Sequence, residues 1–301
     1  MNTFSLILAT FVIVCVVGSV GEAQPKKLKV FISVDMEGIA GVVTGDQLGP
    51  NGFEYEKFRE FMTSEALAAV HAAKESGATE IVVTDSHGNG ENLLIDKFPP
   101  DIRVIRSWPR KLGMMAGIDS TFDAAIFIGY HASTNNPKGV RAHTFSSATL
   151  TRVAINGNVA SEGSWNAAIA GHFGVPVILI SGDDAAVAEV NEQIGEVEKA
   201  AVKNNLSFHS ANTLTPQAAQ QLIAQKVKAA FGRLNEFKPF KVSSPVHLDI
   251  SFKHYQPPEL LAYLREVKRT DAHSIRYTVK DMVEASEFIQ FVTRYNPELQ
   301  P

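Results

Sequence analysis

Three apolar, strand-like segments of the chain are each followed by side chains that bind divalent metals. The segments span residues 29–34, 80–84 and 124–130, and the side chains that follow them are Asp35, Glu37, His87 and His131. In an open parallel sheet, ligand sites form just beyond the carboxyl ends of the strands, so these side chains are expected to meet. Two carboxylates and two imidazoles at one edge indicate a divalent-metal site and metal-assisted chemistry.

The spacing of Asp35 and Glu37 favours the metal interpretation. On an extended segment, residues two apart point the same way, and two carboxylates on one face repel each other unless a cation lies between them. The apolar strand before them favours burial. The alternative is a solvated loop that carries two acidic residues by chance.

His87 lies in a glycine-containing loop, and His131 directly follows an apolar strand. Such a loop can cradle a phosphate, but this one lacks the GxGxxG order and the P-loop lysine of nucleotide sites. Asp85 is a candidate to orient a metal-binding side chain from behind. Each histidine alone also fits a structural role, and it is their equivalent positions after strands that indicate metal binding.

Two further residues are candidates for the same site. His143 is a candidate proton donor or acceptor, because the pKa of an imidazole lies near neutrality. Glu162 lies at the start of a helix predicted from Ser161, where an acidic side chain also interacts favourably with the helix dipole. It follows a hairpin predicted from the turn Asn156-Gly157, and from there it could reach a metal as a carboxylate ligand.

Strand and helix patterns alternate along the chain, which predicts an α/β fold with a layered, mainly parallel sheet flanked by helices. An apolar stripe at helical spacing predicts a helix over 54–76, between strands at 30–34 and 80–84, as in a βαβ unit. Later segments predict a smaller C-terminal α+β portion. We expect a metal-binding catalytic domain over residues 25–195 and this smaller portion over 196–301.

Residues 1–24 form a predicted signal peptide. An almost unbroken apolar run from Phe4 to Val17 precedes small residues up to Ala23, as in secretory leaders and their cleavage zones. The run is shorter than the ~20 residues that a spanning helix needs. A secreted or periplasmic protein is therefore expected. The alternative is an uncleaved membrane anchor, since no Lys or Arg precedes the run.

Composition narrows the classes of function. The net charge is −4 and no long basic patch occurs, so nucleic-acid binding has little support. No stable membrane partner is expected. The only cysteine, Cys15, lies in the predicted leader, so the mature chain has no thiol for a zinc-thiolate site or a nucleophile. Any metal must therefore be held by carboxylates and imidazoles.

The joint pattern resembles the zinc-dependent D-aminopeptidase (DppA-like) family of metallopeptidases. The resemblance runs from about Leu28 to the last predicted helix. It rests on motifs that occur in this order: Ser33-Val34-Asp35-Met36-Glu37-Gly38-Ile39, Asp85-Ser86-His87, Gly129-Tyr130-His131-Ala132, His143 and Glu162-Gly163. Any single motif is weak, but the whole set in this order is specific.

The resemblance implies a site for two Zn²⁺ ions per chain. Asp35 matches the carboxylate that bridges both metals in the family. Glu37 and His131 match ligands of one zinc, and His87 and Glu162 match ligands of the other.

The resemblance also implies an activity and an assembly. The family removes N-terminal residues, D-alanine among them, from short peptides, and His143 matches the histidine that is assigned to catalysis. Its members assemble as homo-oligomers. The expected protein is therefore a metallo-aminopeptidase of the D-aminopeptidase type, which uses metal-activated water on short peptides, D-Ala-containing ones among them.

Two other functions stay open from the sequence. A metal-dependent phosphoesterase or amidohydrolase would use a similar two-metal site, although no phosphate-clamping Arg/Lys cluster is evident near the candidate ligands. A non-enzymatic periplasmic peptide-binding protein would share the leader and the α/β layers. It would not need five zinc ligands, so metal content separates it from the hydrolases.

Overall fold

The computed structural model describes Met1 and residues 27–295 of the chain, so the predicted leader beyond Met1, with Cys15, lies outside the described residues. The strands are β1 (Lys29–Val34), β2 (Glu80–Asp85), β3 (Arg103–Ile105), β4 (Ala124–Tyr130), β5 (Leu150–Ile155), β6 (Asn158–Val159), β7 (Val177–Asp183), β8 (Glu198–Ser207), β9 (Ser210–Thr213), β10 (Val246–Phe252), β11 (Val267–Arg269) and β12 (Ser274–Val279). The α-helices are α1 (Tyr55–Glu75), α2 (Glu162–His172), α3 (Asp184–Ile194), α4 (Pro216–Gly232), α5 (Gln256–Leu261) and α6 (Met282–Arg294).

In the described part of the chain, the larger sheet has seven strands in the order β3-β2-β1-β4-β7-β8-β9. All neighbours in it pair in parallel except β8 and β9, which form an antiparallel hairpin. Because β1, β2 and β4 are adjacent and parallel, their carboxyl ends lie side by side at one edge. The predicted α/β fold, with its βαβ unit of β1, α1 and β2, is confirmed.

The smaller sheet is antiparallel and has the order β11-β12-β10-β5-β6. It takes β5 and β6 from the middle of the chain and the other three strands from the C-terminal part. The division predicted between residues 195 and 196 stays a prediction, and each sheet contains strands from both sides of it.

The larger sheet is covered on both faces, and the alternation of side chains along β1 explains how. Phe31 packs into one apolar cluster with Trp165 of α2 and with the inner face of the smaller sheet. Val30 and Ile32 point the other way, into a second cluster with α1 and α4. Successive side chains of a strand point to opposite faces, so a nearly continuous apolar strand is what a doubly covered sheet requires.

Within the described range 27–295, no helix combines the length and the apolar character that a membrane span would require.

Candidate metal centre

The six predicted site residues converge at the carboxyl edge of the larger sheet. Five of the six side chains are at least nine-tenths buried, and the sixth, His143, is 15% exposed. Each comes from a segment that the sheet or its covering helix positions. Asp35 and Glu37 follow β1, His87 follows β2, His131 follows β4, His143 lies in the loop before β5, and Glu162 opens α2.

Asp35 lies between two of the imidazoles. Its Oδ1 is 3.3 Å from His87 Nδ1, and its Oδ2 is 3.4 Å from His131 Nε2. Glu37 Oε2 is 2.8 Å from the same Nδ1 of His87. A carboxylate that offers one oxygen to each side has the geometry of a bridging ligand.

Glu162 closes the other side of the group. Its Oε1 is 3.5 Å from His131 Nε2, and the same oxygen accepts a hydrogen bond from the backbone N–H of Phe145. His143 Nε2 is 3.9 Å from Glu162 Oε1 and 3.9 Å from Glu37 Oε1. The rings of His131 and His143 stack with their centroids 4.0 Å apart.

The three imidazoles are oriented in the same way. One ring nitrogen of each lies at hydrogen-bond distance from a backbone carbonyl, and the other nitrogen faces the carboxylates. The pairs are His87 Nε2 with Leu48 O at 2.7 Å, His131 Nδ1 with Ala132 O at 3.0 Å, and His143 Nδ1 with Arg141 O at 2.9 Å. A carbonyl partner fixes the tautomer and leaves a lone pair on the other nitrogen, which is the usual arrangement of metal-binding histidines.

His131 gives the most direct test of whether a metal fits. Its Nε2 is buried and has no hydrogen-bond partner among the described residues, although it lies between two carboxylates. A buried polar nitrogen without a partner is costly unless something else satisfies it. The donor set of imidazole nitrogen and carboxylate oxygen around it fits zinc.

The electrostatics of the group also favour a cation. Burial alone lowers the pKa of His87 and of His131, but neighbouring carboxylates, Glu37 and Glu162 respectively, raise both values well above the usual range. Burial and the charge of Glu37 raise the pKa of Asp35. Burial opposes ionisation of Glu37 too, yet His87 holds its pKa well below the usual range. Buried carboxylates at this density are stabilised by a divalent cation.

Ligand atoms cluster in two overlapping groups. Asp35, Glu37 and His131 offer atoms within 4.8 Å of one another, which is the combination predicted for one zinc together with the bridging carboxylate. His131, His143 and Glu162 form a second such group. The assignment of His87 and Glu162 to a second zinc stays a prediction, and His87 Nδ1 lies closest to Glu37.

Two glycines let the loop after β1 press against the end of β4. The backbone N–H of Gly38 donates to Gly129 O at 2.7 Å, and a Cβ on Gly38 would lie 2.0 Å from Tyr130 O. Gly129 has a φ of 72°, and a Cβ there would lie 2.2 Å from Asp35 O. Only glycine allows this approach, which brings Asp35 and Glu37 beside His131.

Lys203 of β8 holds the same loop from the other side, and the sequence reasoning missed it. Its ammonium is buried and donates hydrogen bonds to the carbonyls of Glu37, Ile39 and Val42 at 2.5, 3.0 and 2.7 Å. Burial lowers its pKa to about 8, against the opposing effect of nearby carboxylates. A lysine directly after the apolar residues Ala200-Ala201-Val202 was the signal that could have identified it.

Glu65 of α1 is a second missed residue near this loop. Its Oε1 accepts a hydrogen bond from the backbone N–H of Ala40 at 3.0 Å, and its side chain is fully buried. Burial raises its pKa to about 7. The loop between β1 and α1 is thus held by two ionisable groups that sit outside the candidate ligands.

Asp85 organises the loop that carries His87, although it does so through the backbone rather than by touching the imidazole. Its Oδ2 accepts from the backbone N–H groups of Asn92 and Leu93 at 2.6 and 2.7 Å. The side-chain amide of Asn92 donates to Asp85 Oδ1 and to His87 O. Asp85 therefore closes the loop around His87.

Four of the candidate ligands, Asp35, Glu37, His87 and Glu162, line a cavity of about 210 Å³, and so does His143, whereas His131 lies behind them. Besides the candidate ligands, its walls include Trp108, Phe145 and three side chains of α6. A larger cavity of about 590 Å³ lies beside the β5–β6 hairpin, and none of the six site residues lines it. The smaller cavity is therefore the candidate active site.

Comparisons with known proteins match the chain with D-aminopeptidases. A family model described as D-aminopeptidase (peptidase M55) matches residues 28–291. A D-aminopeptidase of Bacillus subtilis strain 168 is 34% identical over 268 residues, which cover 88% of this chain and 97% of the relative. A solved structure, described as the Zn-dependent D-aminopeptidase DppA from Bacillus subtilis, a self-compartmentalizing protease, matches with a TM-score of 0.85 at 32% identity. It covers 88% of this chain and 97% of its own.

Proposed function

The chain belongs to the peptidase M55 family of D-aminopeptidases, and we propose that it is a two-zinc aminopeptidase that releases N-terminal residues, D-residues in particular, from short peptides. The observation that carries the proposal is the convergence of three buried carboxylates and three imidazoles at one edge of the larger sheet, beside a small cavity. The unpartnered Nε2 of His131, between Asp35 and Glu162, supports a metal there.

The residues that would hold the two ions are Asp35, Glu37, His87, His131 and Glu162. Zinc is favoured over harder cations because imidazole nitrogens contribute to the donor set. Asp35 would be the ligand shared by the two ions, since its two oxygens face different histidines. Zinc held by these residues would supply Lewis acidity for a peptide carbonyl and would activate water at neutral pH.

His143 is the proposed catalytic residue of the chain itself. The carbonyl of Arg141 holds its Nδ1, so its Nε2 points to the acidic cluster and lines the cavity. From this position Nε2 can accept a proton and, as the imidazolium, donate it to the leaving amine or stabilise negative charge on the carbonyl oxygen. The stack on His131 fixes the plane of the ring, so the imidazole is already oriented before substrate binds.

The assembly and the compartment are part of the same proposal. The matched solved structure is described as a self-compartmentalizing protease, which supports a homo-oligomer for this chain as well. The leader predicted over residues 1–24 supports a secreted or periplasmic enzyme, which would meet D-alanine-containing peptides outside the cytoplasm. Sizing of the purified protein and sequencing of its mature N-terminus test these two points.

The deciding experiment measures metal content and turnover on the same preparation. Metal analysis should find two zinc ions per chain, and D-alaninamide should be hydrolysed faster than L-alaninamide. A chelator should abolish hydrolysis, and added zinc should restore it. Zinc-loaded protein that hydrolyses a phosphate ester but no alaninamide would indicate another two-metal hydrolase. Binding of peptides without any turnover would indicate a non-enzymatic peptide-binding protein.

A further inference from the structure

The C-terminal helix α6 contributes a positive charge to the cavity of the candidate metal centre. Arg294, in the last turn of α6, lines this cavity together with Gln290 and Thr293. Among the described residues that line this cavity, the other charged or titratable side chains are acidic residues and histidines of the centre. Arg294 is thus the cationic side chain of a cavity that is otherwise acidic.

The guanidinium of Arg294 is held in place but has spare donors. It lies over the Trp108 ring at 3.7 Å, and its Nη1 donates one long hydrogen bond, 3.3 Å, to Gly88 O. No other hydrogen bond and no ion pair involves it among the described residues. An arginine has five N–H donors in a planar fork, and that fork matches a carboxylate. Most of this capacity is therefore available to a ligand.

Arg110 stacks on the same ring, but its two terminal nitrogens both donate to groups of the protein. It lies over Trp108 at 3.6 Å and donates to Thr84 Oγ1 and to Asp85 O, both at 2.7 Å. Arg110 braces the loop that carries His87, and it does not line the cavity of the metal centre. Of the two arginines that stack on Trp108, Arg110 therefore supports the loop, and Arg294 is available to a ligand.

Gln290, one turn before Arg294 on α6, supplies a complementary acceptor. Its Oε1 is buried and has no hydrogen-bond partner among the described residues. A buried acceptor without a donor is costly in a folded protein, and a ligand N–H relieves that cost. A peptide that enters this cavity offers such an N–H close to its carboxyl terminus.

We propose that Arg294 binds the free α-carboxylate of a short peptide whose N-terminal residue lies at the metal centre. This inference rests on the proposed aminopeptidase function and adds the selection of peptide length. The small cavity confines the distance between the scissile bond and Arg294. Dipeptides and similarly short peptides with a free carboxyl terminus are therefore the preferred substrates, because a charge-assisted bidentate pair adds to their binding.

The experiment compares D-Ala-D-Ala with D-Ala-D-Ala amide, which are cleaved at the same bond but differ in the terminal charge. The zinc-loaded wild type should show a kcat/KM for the free acid at least about tenfold above that for the amide, as expected for one charge-assisted pair. Arg294→Gln should lose about 10- to 100-fold on the acid, mainly through KM, and change little on the amide. Arg294→Lys should recover part of the loss, because it keeps the charge but not the fork.

The control is Lys111→Gln, which removes a positive charge from an exposed side chain near the same helix and should leave both substrates unaffected. A wild type that cleaves acid and amide equally well would overturn the inference while leaving the aminopeptidase function intact. Equal losses on both substrates in Arg294→Gln would overturn it too. A wild type that cleaves neither substrate, nor D-alaninamide, would reject the proposed function instead. The wild-type comparison needs no variant, so the test stands even if Arg294→Gln fails to fold.

Discussion

Replacing Lys203 by methionine should loosen the loop that carries two of the candidate zinc ligands. The Lys203 ammonium holds the carbonyls of Glu37, Ile39 and Val42 in a site where it is 1% exposed. Methionine fills a similar volume but has no donor. Three buried carbonyls would then lose their hydrogen bonds, and Glu37 would lose the contact that fixes its backbone.

The size of the effect follows from two opposing contributions. A buried carbonyl without a donor costs about 2 kcal/mol, so three cost about 6 kcal/mol. The lowering of the Lys203 pKa from 10.5 to about 8 corresponds to about 3 kcal/mol for holding the ammonium in the folded protein, a cost that methionine removes. The net loss of folding free energy is about 3 kcal/mol, which lowers Tm by about 5 °C in a chain of this length.

Thermal unfolding and zinc titration measure this prediction together. Lys203→Met should lower Tm by that amount and weaken zinc binding, because the backbone of Glu37 is no longer held. Lys199→Met is the matched control, since Lys199 lies on the same strand with an exposed side chain that contacts Asn191. If Lys203→Met unfolds at the same temperature as the control and keeps its zinc and its activity, the carbonyl clamp does not contribute as argued.

Three further predictions test other parts of the site. Because burial raises the pKa of Glu65 from 4.5 to about 7, the folded protein binds more protons than the unfolded chain between these values, and its stability falls as pH rises through this window. The free energy of unfolding of Glu65→Gln should therefore exceed that of wild type by up to about 3 kcal/mol above pH ~7, but by little below pH ~4.5. Urea unfolding with chelator present measures this difference. A difference that does not change with pH, or that also occurs in the exposed Glu60→Gln, contradicts this account. His143→Ala should lower kcat by about 10²- to 10⁴-fold while zinc analysis still finds two ions per chain; loss of zinc, or full activity, would reject the catalytic role. Gly38→Ala should lose zinc and several kcal/mol of stability, since its Cβ would lie 2.0 Å from Tyr130 O, whereas Gly45→Ala, where a Cβ meets nothing within 4 Å, should behave as wild type in both measurements.

Local signals were enough to predict most of the elements that carry the site. Apolar runs ending in polar residues predicted β1, β2 and β4, and the apolar stripe predicted α1 to within one residue at each end. The turn Asn156-Gly157 predicted the β5–β6 hairpin. These signals depend on side-chain periodicity and backbone preference, which act over a few residues.

The hairpin β8–β9 was not predicted. Its residues 198–213 carry many polar side chains, and they fell where a loose boundary between two domains was expected. In the structure, β8 pairs in parallel with β7 and becomes an inner strand of the larger sheet. Its conformation depends on pairing with β7, which precedes it across α3, and with β9, rather than on the pattern of its own side chains.

Asp35, Glu37, His87 and His131 could be predicted from the sequence because each closely follows an apolar strand, and the carboxyl ends of parallel strands meet at one edge. Glu162 was a candidate because it starts the helix that follows the hairpin. Which imidazole nitrogen faces the carboxylates, and how closely Asp35 lies between two rings, depend on backbone carbonyls from other loops. Only the tertiary structure identified the roles of Lys203, Glu65 and Arg294, because each contacts residues that are far away in the chain. Sequence thus determined the kind of chemistry and the strands that present it. Long-range packing decided the orientation of the imidazoles, the contacts that support the ligand-bearing loops and the side chains on the far wall of the cavity.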